Sequence, residues 1–419
     1  MRMQSLWTSI ASLKSFMPKL PEERRSLPTS GFKIIEADLL VEEEELPDYK
    51  ADRFYPVRLG DVFEDRYQVI AKLGFGSSST IWLARDLKYL RFHNVLFALY
   101  SSLKTYVHTS KFHRELPFYD HISPYFTNIT SHRGRHNIRR LLSSFQITGP
   151  HGKHTVLVFQ ASQMSLRDMK FVFFPKGFNE GFVKGAIIEL LEALDFLHTR
   201  GEAIHTDVHP GNMLLGVYDN NNVLENLEKM EFSSPVPRKM TSDSRTIYLS
   251  RLTKPKEGPM LLSDFGETRI GPGPHGGDIM PLEFRAPEVL LYVGWSYPVD
   301  IWSVGLTAWD LLGCKRLFTA RDKEDGKAYD AVHFAEMIAA LGPPPAEFLA
   351  KNPERKAEFW NETGEWLGLA PIPHGRTIES VEDRLQDNKE FLRFIRRTLT
   401  WMPEQRATAK ELLQDPWLA

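Results

Sequence analysis

The string Ile204-His205-Thr206-Asp207-Val208-His209-Pro210-Gly211-Asn212, with Asp264-Phe265-Gly266 far downstream, constrains this chain more than any other feature. An Asp, an Asn five residues on and a second Asp 52 residues later can cooperate only in a fold that returns the chain to its own loop. Phosphoryl transfer needs a carboxylate that orients an attacking hydroxyl and accepts its proton. It also needs hard oxygen ligands to hold a divalent cation against the phosphates. Asp207 suits the first task, and Asn212 and Asp264 suit the second. A lone Asp–Gly pair reads more simply as a turn. HxDxxxxN followed by DFG, both downstream of a Gly-rich hairpin, is a far more specific pattern.

Local patterning supplies the scaffold. YQVIAKLG from Tyr67 alternates apolar and polar residues, and TIWLARD reads as the returning strand, so the two predict a hairpin. Between them lies LGFGSSST, Leu73 to Thr80, where Gly74 and Gly76 let the backbone approach phosphate oxygens without a Cβ in the way. Ser79 stands where such loops usually carry a third glycine, and as a lone motif the stretch reads equally well as a hairpin turn. His154 to Gln160, HTVLVFQ, is a further strand, and SKFHRELPFYDHI suits a short helix. Apolar residues at 183, 186, 187, 190, 191, 194 and 197 form one helical stripe, with Gly201 as its stop. Val299 to Gly313 is apolar nearly all round, which predicts a buried helix. The first half is strand-rich and the second helix-rich, with no internal repeat.

Composition excludes several classes. At 42% hydrophobic and 25% charged, the 419 residues are those of an ordinary globular protein, neither disordered nor fibrous. Lys+Arg of 52 against Asp+Glu of 54 leaves a net charge of −2, so no charge excess points to direct nucleic-acid binding. One cysteine, Cys314, cannot form an internal disulfide, which suits a reducing compartment; cytoplasm or nucleus is the expectation. No apolar run approaches the ~18 residues of a membrane span. The first 20 residues hold three bases, four serines and no acid, a weak match to a mitochondrial transit peptide and a better one to a frayed terminus. The acidic run Glu42 to Glu45 reads as solvated, with compact structure beginning near Asp48. The boundaries expected are an extension over 1–47, a smaller unit over 48–160 and a larger one over 161–419. Within the larger unit, 216–258 reads as an exposed excursion and 320–376 as an irregular helical insertion.

Three further strings extend the pattern. Arg285-Ala286-Pro287-Glu288 follows Asp264, Asp300-Ile301-Trp302-Ser303-Val304-Gly305 lies on the buried helix, and Trp401 to Arg406, WMPEQR, sits near the end. This order resembles the eukaryotic protein kinases. The resemblance implies a bilobal α+β fold: a small antiparallel sheet with one helix, and a larger, mainly helical lobe. It implies a buried Glu288–Arg406 ion pair and an Asp300 that braces the catalytic loop. HTDxxPxN, the excursion after NMLL, LGFGSSSTIWLARD, the lead-in LPDYKADRFYPVRLGDVF and HFAEMIAALGPPP all resemble the SR-protein kinase branch of the CMGC group. That branch phosphorylates serines in Arg/Ser-rich splicing factors.

By this resemblance the cofactors are ATP and Mg²⁺, the latter held by Asn212 and Asp264. Lys104, paired with Glu115, orients the α- and β-phosphates. Leu73, Gly74 and Gly76 cover the phosphates, Ile81 roofs the adenine and Leu214 floors it. Phe159 is the gatekeeper, and Gln160, Ala161 and Ser162 form the hinge. The partner implied is a protein substrate, Arg/Ser-rich by the narrower resemblance, bound by a monomer with no nucleic acid and no membrane. Three departures stand out. Thr206 replaces an arginine that receives an activation-loop phosphate, so activity without that phosphorylation is expected. His209 replaces a lysine beside the transferred phosphate, and a neutral or a protonated imidazole could serve there. Residues around 93–101 lengthen the approach to Lys104. These departures leave a pseudokinase scaffold as the alternative, and HxDxHPGN leaves a small-molecule kinase of the aminoglycoside or choline type as a more remote one.

Overall fold

Alternation and a glycine-bearing turn produce the expected hairpin, and further strands extend it. The computed structural model of the chain describes residues 23–88, 99–110, 114–127, 132–218, 221–241, 245–313, 315–327 and 329–419. Cys314, the first 22 residues and most of the lengthened approach to Lys104 lie outside the described residues. Packing divides the chain into two units. One gathers residues up to 110 with 141–161 and 222–253; the other gathers 111–140, 162–221 and 254–419. The cuts expected at 47/48 and 160/161 therefore follow the sequence order, whereas the packing exchanges segments across them.

The first unit is built on six antiparallel strands: β1 (Val62–Phe63), β2 (Tyr67–Gly76), β3 (Ser79–Asp86), β4 (Tyr100–Tyr106), β5 (Leu141–Thr148) and β6 (Lys153–Gln160), in the order β1-β2-β3-β4-β6-β5. Lys104 lies in the middle of β4, in register with Ile81 of β3 and Leu157 of β6. A regular strand therefore carries Lys104 despite the longer approach. Val69, Trp82, Ala84, Leu103, Val156 and Val158 form the core on one sheet face. Each of the valines and Leu103 contributes roughly 1.5–3 kcal/mol by leaving water.

Residues 222–253 also belong to this core, a correction to the exposed excursion expected there. The helix Val223–Ser233 buries Leu224 and Leu227, and Val236 and Tyr248 join the sheet's apolar cluster. Tyr248 meets Trp82 edge-on at 5.9 Å. The polar composition misled because its charges are paired inside. Glu228 accepts from Arg85 Nη1 at 2.8 Å and from the Tyr100 hydroxyl, and Glu231 accepts from Arg251 Nε at 2.8 Å.

The acidic run is likewise docked rather than solvated, so ordered structure begins before Asp48. Glu42 accepts the Ser250 N–H at 2.7 Å and its hydroxyl at 2.6 Å. Glu43, 2% exposed, binds Lys72 Nζ and, at 2.7 Å, Arg245 Nη2. Glu44 accepts from Lys239 Nζ at 2.9 Å. The run ties β2 to the hairpin formed by Arg238–Met240 and Thr246–Tyr248.

The second unit is mainly helical. Asn179 caps Glu180–Phe196 by accepting the Phe182 N–H at 2.9 Å, and the stripe Val183, Ala186, Ile187, Leu190, Leu191 and Leu194 is buried as its spacing predicts. Pro298–Leu312 is buried along nearly its whole length. Met213–Leu215 pairs with Met260–Leu262 on one side and Met164–Ser165 on the other. The 320–376 insertion contains Asp330–Leu341 and two short helices, with Phe334, Phe359 and Trp360 packed together. No helix among the described residues is long and apolar enough to cross a membrane.

Removing Glu43's charge leaves Lys72 with Glu42 alone at 3.2 Å and takes the carboxylate from Arg245, which keeps the Ala51 carbonyl at 2.9 Å, a loss of about 3 kcal/mol. Glu43→Gln is expected to lower the urea midpoint by that equivalent, while Glu45→Gln, on an exposed neighbour, leaves it unchanged.

Candidate active site

The loop bearing Asp207 is held by one carboxylate. Asp300, fully buried, accepts the His205 N–H and the Thr206 N–H, each at 2.8 Å, and lies 2.9 Å from His198 Nε2. Thr206 is thereby kept at φ 70°, a left-handed conformation that a β-branched residue adopts only when its surroundings impose it. Its hydroxyl donates to the Glu267 carbonyl at 2.8 Å, which links the loop to the segment after DFG. His205 accepts the Asp207 N–H at Nδ1 (3.2 Å), so its proton sits on Nε2 and is donated to the Ser263 carbonyl at 3.1 Å.

These bonds bring Asp207, Asn212 and the DFG segment together. Asn212 Nδ2 donates to the Asp207 carbonyl and to its Oδ2, both at 2.9 Å. Ser263 donates its N–H and its hydroxyl to the Asn212 carbonyl at 2.9 and 3.0 Å. Asp264 follows at once, with φ 62°. Because the Asn212 amide nitrogen is committed to Asp207, the amide oxygen is the atom that can ligate. An amide oxygen and a carboxylate are the hard donors that suit a small divalent cation. Among the described residues no cluster of three or more His, Cys, Asp or Glu could hold a metal, so such a cation would need further oxygens from phosphate or water.

His209 accepts the Gly211 N–H at Nδ1 (3.0 Å), which leaves the ring proton on Nε2, 3.5 Å from Asp207 Oδ1. Of the two forms open from sequence, this hydrogen bond fits the neutral one, since an imidazolium has no acceptor for Gly211.

The helix Glu115–Thr127 packs on the DFG segment within the same unit. Glu115 Oε1 accepts the Phe265 N–H at 3.3 Å, and Phe118 stacks on Phe265 with centroids 4.2 Å apart. Arg114 Nη1 donates to Glu267 at 2.9 Å, and Arg269 approaches the same carboxylate at 3.6 Å. Sequence reasoning did not single out Arg114, Glu267 or His198. The signal that could have found Glu267 was the arginine missing at Thr206. Gln163 was also missed: its amide nitrogen donates to the Gly216 and Lys256 carbonyls (2.7 and 2.8 Å) and its oxygen accepts the Lys256 N–H.

The other anticipated residues divide between the units. Leu73, Gly74, Gly76, Ile81, Lys104, Phe159 and Gln160 lie in the sheet unit; Glu115, Ser162, Asp207, His209, Asn212, Leu214 and Asp264 lie in the helical one. Within the sheet, Gly74 pairs with Ile81 and Ile81 with Lys104, which sets the three side by side on adjacent strands. A Cβ at Gly74 or Gly76 would meet nothing within 4 Å, so the loop has room on that side for an anion to approach. Glu288 and Arg406 form the expected pair, with contacts of 2.5 and 2.7 Å and 1% and 0% side-chain exposure.

A carboxylate, an amide oxygen and a second carboxylate, set on a loop braced from a buried helix, define a phosphotransferase of the protein kinase class. Residues 67–418 match the protein kinase domain, and the chain belongs to that family. It is 40% identical to a serine/threonine protein kinase of Aspergillus fumigatus over 98% of this chain and 99% of that protein. Physarum polycephalum serine/threonine-protein kinase SRPK is 28% identical, covering 90% of this chain and 92% of its own. SRSF protein kinase 3 of Mus musculus is 25% identical over 90% of each. A crystallographically solved kinase domain shares the fold, with TM-score 0.66 at 21% identity over 88% of this chain and 99% of that one. The chain is an SRPK-like serine/threonine protein kinase with the α+β kinase fold, an enzyme acting on protein substrates with ATP and a divalent metal. These relatives replace the scaffold and small-molecule readings.

Asp300→Asn keeps the shape but turns an N–H₂ toward one of two backbone donors. It is expected to cost about 3 kcal/mol of stability and to lower kcat far more than it raises the KM for ATP, measured by denaturation and steady-state kinetics.

Proposed function

We propose that the chain transfers the γ-phosphoryl group of Mg·ATP to serines in Arg/Ser-rich proteins, with Asp207 receiving the serine proton. The observation that carries this reading is the Asn212 bridge, whose amide nitrogen fixes Asp207 Oδ2 and leaves the amide oxygen as the ligating atom. Asp207 Oδ1 is then the atom that accepts the hydroxyl proton, and the His209 Nε2–H nearby orients it. Asn212 and Asp264 would hold Mg²⁺, which supplies charge neutralisation at the phosphates when bound. By the family resemblance, Lys104 would take the α- and β-phosphates with Glu115 as its partner, and Leu73, Gly74 and Gly76 would cover them. By the same resemblance Phe159, Gln160 and Ser162 would serve the adenine edge, and Ile81 and Leu214 its two faces. Catalysis then comes from positioning and from fixed dipoles rather than from a covalent intermediate.

The Arg/Ser preference is supported by the kinship to SRPK and SRSF protein kinase 3. Independence from activation-loop phosphate is supported by Thr206 and by Glu267, whose carboxylate already occupies Arg114 and Arg269. The test is transfer of labelled phosphate to an Arg/Ser peptide and to its Lys/Ser counterpart. Wild type, phosphatase-treated wild type and Asp207→Ala are compared. Equal labelling by wild type and treated enzyme, favouring Arg/Ser, with a loss of at least about 10²-fold in the variant, is expected. Undiminished labelling by Asp207→Ala, or labelling indifferent to arginine, contradicts the corresponding half of the reading.

A further inference from the structure

The segment ending at Arg285 runs beside the catalytic loop. The Phe284 ring lies 5.9 Å from the His209 ring, and His209 in turn stands 3.5 Å from the Asp207 carboxylate. A protein chain that offers a hydroxyl to Asp207 thus meets Phe284, the end of residues 279–284. Two groups hold that segment. The Arg285 guanidinium folds back on it, Nε donating to the Ile279 carbonyl at 3.1 Å and Nη2 to the Met280 carbonyl at 3.4 Å. Met280 is left-handed, at φ 67°. The carbonyl of Arg285 itself is held by His333 Nε2 at 2.9 Å, from the first turn of the helix Asp330–Leu341.

His333 is out of place by composition. The other buried residues of that helix are Phe334, Ala335, Met337, Ala340 and Glu336, whose carboxylate is taken up by Thr319 and the Ala320 N–H, and an aliphatic side chain at 333 would satisfy packing alone. The imidazole is fully buried and meets Phe318 edge-on at 5.3 Å. A carbonyl only accepts, so the ring proton is on Nε2, and Nδ1 has no hydrogen-bond partner among the described residues. Burial pushes the imidazole down to about 4, so the ring is neutral near pH 7. A buried ring nitrogen without a partner is costly, and the bond to Arg285 is the interaction that offsets it.

We propose that His333 is a positioning residue for the protein substrate: through the Arg285 carbonyl it fixes where residues 279–284 lie beside Asp207. The proposal rests on the reading of Asp207 as the hydroxyl acceptor. It assigns His333 no contact with nucleotide, so its effect belongs in the substrate peptide's KM. The test uses the full chain, with a serine peptide that the wild type phosphorylates, and the variants His333→Leu and His333→Gln. Leucine fills the site without a donor, whereas the glutamine amide reaches the position of Nε2 and can donate to the same carbonyl.

His333→Leu is expected to raise the peptide KM about tenfold, the equivalent of one hydrogen bond, with the KM for ATP within about twofold of wild type. His333→Gln is expected to restore the peptide KM to within about threefold. A peptide KM unchanged in His333→Leu overturns the proposal. So does an equal rise in both variants, which would mark a packing role, or a parallel rise in the KM for ATP. Asp207→Ala, assayed alongside, reports separately on the hydroxyl acceptor: transfer retained there removes that reading, whatever the His333 variants do.

Discussion

A carboxylate with no exposure to water must be surrounded by donors, and Asp300 meets that demand with the backbone of the catalytic loop. The two peptide N–H groups it binds belong to consecutive residues, His205 and Thr206. Consecutive N–H groups point to one acceptor only if the chain turns sharply, and the left-handed Thr206 is that turn. From it follow the His205 bond to Ser263, the Thr206 bond to Glu267 and the placement of Asp207 against Asn212. The helix that carries Asp300 is apolar nearly all round, so its position in the core is set by packing. The loop inherits that rigidity.

Buried charge does comparable work elsewhere. Glu288 with Arg406 joins residues far apart in the chain inside the helical unit, while Glu43, Glu228 and Glu231 gather the N-terminal run, the sheet and residues 222–253 in the other. Such pairs add little net stability over well-packed apolar groups, but losing one partner strands the other at high cost. Their effect is to fix which segments dock and in what register. For a sheet unit assembled from three separate stretches of chain, that selectivity matters more than the last increment of stability.

Much of this was legible in the sequence because it rests on local chemistry. Strand-like patterning around a glycine turn gave the hairpin, although β2 is buried on both faces over Tyr67–Lys72, and intervals of three and four gave the stripe of Glu180–Phe196. Of the motif residues, the structure bonds Asp207 to Asn212 and places Asp264 next to the Ser263 that bonds Asn212. Lys104, singled out by its surroundings, lies on a regular strand in register with Ile81. What escaped depends on partners remote in sequence. The acidic run looked solvated because Arg245, Lys239 and Ser250 are about 200 residues away. Residues 222–253 looked exposed because their carboxylates are read as surface charge until Arg85 and Tyr100 are placed against them. His333 sits on the buried side of a mixed helix, where periodicity reports burial and says nothing of a carbonyl on another segment.

The account turns on Asn212 and Asp264 forming one cation site next to Asp207. Its most direct test is the affinity for a non-hydrolysable ATP analogue, measured by calorimetry with and without Mg²⁺, in wild type and in Asp264→Ala of matched melting temperature. The account predicts that Mg²⁺ strengthens binding to the wild type and that the variant loses this enhancement. An enhancement of the same size in both proteins would contradict it.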